Sequence, residues 1–117
     1  MADWIPCGAG FIEADVIRWR EAVWKPKSRK NSRAVRIGER TITAQVLKVT
    51  ADGWVVLLVK LCETTNAETW WRQIPPLKAG AELRRRPATI GRGRAERLSW
   101  SDESARSAVA SRFLKPL

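Results

Sequence analysis

Apolar and polar side chains alternate most clearly between residues 39 and 63. In ERTITAQVLKV (39–49), Ile42, Ala44 and Val46 stand opposite Thr43, Gln45 and Leu47, the period-two pattern of a half-buried strand. Ala51-Asp52-Gly53 follows as a turn whose glycine accepts positive φ, and WVVLLVKLCE (54–63) returns as a second strand. The unbroken apolar run Trp54 to Val59 predicts burial on both faces of that strand. Six residues are far too few to cross a bilayer.

The flanking segments are less regular. FIEADVIRWREAVW (11–24) fits two periods: Ile12, Val16, Trp19 and Val23 recur at helical spacing, while Ile17, Trp19 and Val23 alternate with Arg18 and Arg20. Its β-branched and aromatic content, and Gly8 and Gly10 upstream, tilt the reading toward a strand. Glu13 and Asp15 would then share one strand face, as a solvated strand entry or in ion pairs with Arg18 and Arg20, rather than as a catalytic pair. Residues 64–82 contain Asn66, Pro75-Pro76 and Gly80, which leave no room for an unbroken helix. AELRRRPATI reads as a strand cut by Pro87, GRGR (91–94) as a tight turn, and AERLSW (95–100) as a return strand. In SDESARSAVASRFL, Ser101 is the expected N-cap of a closing helix, with Asp102 and Glu103 in its first turn and Arg112 and Lys115 at its far end. Ala105, Ala108, Val109 and Phe113 make its apolar stripe.

These elements predict one domain spanning 1–117, mainly β in an α+β arrangement. About five antiparallel strands would form a strongly bent sheet or a small SH3-like or OB-like barrel, closed by a C-terminal helix. A chain of this length buries a core without metal or disulfide staples. The opening MADWIPCGAGF has neither a basic stretch nor an apolar core, so no secretory leader is expected there, and the chain reads as cytoplasmic.

Charge changes the picture most. The formal net charge is +10, and it is concentrated. Residues 25–40 hold seven basic side chains against Glu39, and residues 84–97 hold six arginines against Glu96, so the remaining chain is nearly neutral. Such clusters favour a polyanionic partner. Lys25, Lys27, Arg29, Lys30, Arg33 and Arg36 fall in a proline- and serine-containing loop between two expected strands, where long loops are usually functional or disordered. Arg84, Arg86, Arg92 and Arg94 belong to the second cluster, with Arg85 turned to the opposite face from its neighbours by strand alternation. Two hairpin loops at one end of a small barrel would merge both clusters into one basic rim.

Seven tryptophans in 117 residues exceed what a core of this size needs. Trp19 and Trp54 sit in strand patterns and are expected in the core, and Trp100 is expected under the helix. Trp24 borders the basic loop, and Trp70-Trp71 adjoin Arg72; one ring of that pair must point outward on an extended chain. Trp24, Trp70 and Trp71 are therefore candidate stacking rings for nucleic-acid bases, against the plainer alternative that they plug an open barrel end.

Candidate catalytic chemistry is thin. With no histidine, Ser-His and Cys-His arrangements are excluded, and Cys7 and Cys62 stand too far apart in sequence for a zinc motif. No phosphate loop or nucleophile-elbow motif occurs. The chain is expected to be non-enzymatic, to need neither metal nor cofactor, to avoid membranes, and to bind DNA or RNA through phosphate contacts. The rival expectation is a protein-interaction module or inhibitor whose same basic, Trp-rich face docks an acidic protein.

Overall fold

The computed structural model describes residues 3–8, 10–25 and 34–113, with side chains to residue 111. In chain order the elements are β1 (Trp4–Pro6), β2 (Val16–Trp24), β3 (Arg36–Val49), β4 (Val55–Asn66), β5 (Glu82–Arg85), α1 (Pro87–Arg92), β6 (Glu96–Leu98) and α2 (Glu103–Phe113). Among the described residues six antiparallel strands form one sheet in the order β1-β6-β2-β3-β4-β5. The sheet is mainly β as expected but does not close, and β1 and β5 are its edges. The segment 11–24 resolves as a strand from Val16 onward.

Alternation explains the core. Ile17 and Trp19 of β2, Ile42, Ala44 and Val46 of β3, and Val55 and Leu57 of β4 are all buried in one cluster. Phe11, Ile90 of α1 and Ala95 complete it. Each such large side chain contributes about 1.5–3 kcal/mol on burial. The hairpin turns as expected through Gly53 at φ 90°, and Val55, Val56 and Leu57 are buried in succession.

The sheet also curls. Register shifts between Thr43 and Ala44 and between Val46 and Lys48 mark bulges in the β3–β4 pair, and bulges bend a strand. A flat sheet would hold β2 and β5 roughly 14 Å apart, three strand spacings. Arg85 of β5 nevertheless reaches Glu21 of β2, Nε to Oε1 at 2.6 Å. The indole N–H of buried Trp19 donates to the same carboxylate at 2.9 Å. Arg85 thus points inward, opposite to exposed Arg84 and Arg86, as alternation predicts.

Several local expectations are corrected. Pro87 does not merely cut a strand: β5 ends at Arg85 and Pro87 opens α1, since proline at the first helical position loses no helix bond. Of the turn expected at Gly91–Arg94, the first two residues end that helix and Gly93-Arg94 do turn, with Arg94 left-handed at φ 56°. Gly93 also serves a close approach. A Cβ there would lie 2.1 Å from the Arg20 carbonyl oxygen, while the Arg20 N–H donates to the Gly93 carbonyl at 2.8 Å.

At the other end of the chain, Asp102 rather than Ser101 caps α2. Its Oδ1 accepts the Ser104 N–H at 3.0 Å and the Ser104 hydroxyl at 2.6 Å, and the hydroxyl bond above all holds its carboxyl below the usual range. Of the expected stripe, Ala105 and Ala108 are exposed and Val109 is half-buried, while the side chains of Phe113 and Arg112, and Lys115, lie outside the described residues. Polar ties seat the helix. Asp15 is fully buried in the turn before β2, not on a strand face with Glu13, and pairs with Arg106 at 2.8 Å rather than with Arg18 or Arg20. It also accepts the Trp100 indole N–H at 2.9 Å and the Ile12 backbone N–H at 3.1 Å. Arg97 grips Glu103 through two nitrogens, at 3.0 and 2.5 Å. No described helix is long and apolar enough to cross a membrane.

Candidate nucleic-acid interface

The basic loop leaves the sheet at Trp24 and Lys25 and returns at Val35 and Arg36, closed by the Lys25 N–H donating to the Val35 carbonyl at 2.8 Å. Lys27, Arg29, Lys30 and Arg33 lie outside the described residues. At the loop's base the β2–β3 register slips: Val23 faces Gly38, but Trp24 faces Arg36, leaving Ile37 as the extra residue of a bulge. Bulges beside functional sites re-aim side chains. Here the bulge sits under Trp24, which is 55% exposed.

Residues 67–76 fold back toward the same end. The Ala67 N–H donates to the Ile37 carbonyl at 2.9 Å, and the Asn66 amide donates to the Trp70 and Arg72 carbonyls at 3.2 and 2.7 Å. These bonds fix Trp70 opposite the end of β2. Trp24, Trp70, Ile74 and Pro75 then line one cleft of about 520 Å³ together with Arg40 and Arg72. Arg40 donates from Nη2 to the Pro75 carbonyl at 3.1 Å. Its Nε–H is buried without a partner among the described residues, a state that costs about 1–3 kcal/mol.

A second cleft, of about 510 Å³, is lined by Arg20, Glu21, Arg85, Thr89 and Arg92. Trp24 and Ala22 belong to both. Trp24 thus contributes to a cleft with a second tryptophan and to a neighbouring one with three arginines.

The candidate residues divide. Trp24, Trp70, Lys25 and Arg36 are gathered at the loop end of β3, and Arg92 joins them through the cleft it shares with Trp24. Trp71 is 80% exposed and its ring carries the Arg72 guanidinium at 4.7 Å, so one ring of the Trp70-Trp71 pair does face outward. Arg94 is exposed beside Gly93. Arg84 and Arg86 sit elsewhere: β5 pairs with the start of β4, next to the 51–53 turn at the opposite end of β3. Arg86 donates to the Asp52 carbonyl at 2.7 Å and stacks over Trp54 at 3.9 Å. Arg84 and Arg86 thus lie at the far end of the β3–β4 hairpin from Lys25 and Arg36, while Arg92 of the same cluster lines a cleft with Trp24. Trp54 is corrected, half-buried beneath Arg86 rather than in the core.

Arg36 is engaged by Glu39 at 2.7 Å, an exposed pair that contributes little. Sequence reading missed Arg20, Arg40 and Arg72 as cleft residues. Arg20 shares strand parity with Trp24, a signal available once β2 is accepted, whereas Arg40 is brought in only by its cross-strand neighbour Glu21.

Among the described residues no group of three His, Cys, Asp or Glu side chains is placed to hold a metal ion. Comparisons with protein-family models, curated proteins and solved structures return no match. Function must therefore be argued from the site's own chemistry, aromatic walls beside guanidinium groups at the mouth of a basic loop.

Proposed function

We propose that this is a non-enzymatic nucleic-acid-binding domain that works in the cytoplasm, where free Cys7 and Cys62 stay reduced. In this reading the fold is SH3-like, with β2 to β5 as a meander and β6 returning to β2. The observation that carries the function is the pairing of Trp24 and Trp70 across one cleft at the root of a loop whose charge is almost wholly basic. Lys25, Lys27, Arg29, Lys30 and Arg33 neutralise phosphates, with Arg92 and Arg20 extending the track past Trp24. Arg86 is engaged by Asp52 and Trp54 at the other end, and both it and exposed Arg84 stand outside the interface.

Titration of random-sequence DNA and RNA across a salt series tests this. With roughly five phosphates engaged, log K falls against log salt with a slope of about −4 to −5. Replacing Arg29, Lys30 and Arg33 by Ala weakens all sequences alike and makes the slope shallower by about 3. Unchanged affinity in a folded triple variant rejects the reading in favour of an acidic protein partner, for which exposed Trp71, Trp24 and Val35 supply the apolar contact.

A further inference from the structure

Resting on the nucleic-acid reading above, we propose that the protein selects single strands, by seating an unpaired base between Trp24 and Trp70 and its neighbouring phosphate in the second cleft. The two clefts share Ala22 and Trp24 in their linings, and each also carries arginines. Trp24, Trp70, Ile74 and Pro75 give the first cleft apolar and aromatic surfaces, and its size falls within the range of small-ligand sites. Arg20 and Arg92 make the second cleft cationic. A single strand offers this alternation of flat apolar base and anionic phosphate.

A duplex does not. Its bases are stacked on one another and show only their edges, so no base face can enter a slot without being extruded. A cleft that rewards π-stacking therefore discriminates by strandedness and is tolerant of sequence, since every base has a face. Glu21 on the basic side is no obstacle to phosphate. Its carboxylate is already held by Arg85 at 2.6 and 3.3 Å and by the Trp19 indole. Arg40 also lines the first cleft and brings a guanidinium to it.

The test compares three probes at one salt concentration: a short oligothymidylate, an abasic oligomer of equal length and charge, and a duplex with the same number of phosphates. One stacked base makes the oligothymidylate bind about 5- to 150-fold more tightly than the abasic oligomer, and more tightly than the duplex. Trp24→Ala removes that advantage while the salt slope stays the same, because a stacking ring releases no counterions. Trp24→Phe keeps most of it. Trp24 is more than half exposed, so its truncation does not hollow the core; Trp70→Phe and Trp70→Ala, checked for folding by circular dichroism, give the second pair. Equal affinity for oligothymidylate and abasic oligomer, or a preference for duplex, overturns single-strand selection while the electrostatic reading survives. Failure of all three probes to bind overturns both.

Discussion

Arginines at the two ends of this protein have opposite fates. Around α2, Arg106 is bound to fully buried Asp15 and Arg97 is clasped by Glu103. Around the loop end of β3, Arg20, Arg72 and Arg92 line clefts and enter no ion pair among the described residues. The residue type is the same; the surroundings differ. A guanidinium beside a buried carboxylate holds the fold together, whereas one beside an exposed ring at a basic loop has donors to spare for a partner. Counting arginines therefore says little about binding until their partners are known.

The comparison breaks most decisively at Arg106. Arg106→Ala leaves Asp15 charged and buried without its cation, and is expected to cost about 3–5 kcal/mol, on the order of 10–20 °C in Tm. Arg72→Ala and Arg92→Ala should stay within about 0.5 kcal/mol of the parent and register only in binding. Thermal melts of the three variants side by side check this, and an Arg106→Ala protein as stable as Arg92→Ala would erase the distinction.

Acid sharpens it further. Arg97, then the Trp100 backbone N–H, hold the Glu103 carboxyl down at about 2 against an ordinary 4.5. A depressed carboxyl stabilises the fold above its unfolded pKa, and that contribution is lost as pH falls from about 4.5 through about 2. Stability should decline over that window, with a change in Trp100 fluorescence as its bond to Glu103 breaks. Glu103→Gln should flatten the response. Identical acid profiles for parent and variant would show that the clasp does not couple to folding.

The smallest effect concerns Trp71. Its ring steadies Arg72 by a cation–π contact, worth about 0.5–1 kcal/mol at an exposed site. Trp71→Ala should therefore weaken oligonucleotide binding about two- to fivefold without changing the melt. A loss as large as that from Trp24→Ala would move the base seat out of the cleft and onto the exposed ring.

Local pattern made several features legible in the chain alone. Alternation placed Ile42, Ala44 and Val46 in the core, the Ala51-Asp52-Gly53 turn made the hairpin, and the parity of residues 84–86 turned Arg85 inward. The Trp24 and Trp70 rings were recognisable as surplus to the core. The helix stripe overreached at Ala105 and Ala108, which are exposed, because helical spacing says nothing of whether a sheet lies beneath a residue. The N-cap moved by one residue, from Ser101 to Asp102, since both side chains can accept the same N–H groups and only the chain's entry angle selects between them.

Periodicity, turn chemistry and the clustering of charge are properties of neighbours along the chain, so the β character, the central hairpin and the basic loop beside Trp24 were all written in the order of residues. Which arginines remain available, and which aromatic rings share a cleft, depends on residues far apart in that order. Arg106 finds Asp15, and Arg85 finds Glu21, only because the sheet curls and α2 folds back. Trp70 meets Trp24 only because Asn66 and Ala67 bend the chain toward the β2–β3 bulge. These meetings belong to the folded molecule, because pairing across such separations is set by strand order, register and bulges, none of which leaves a local mark in the sequence.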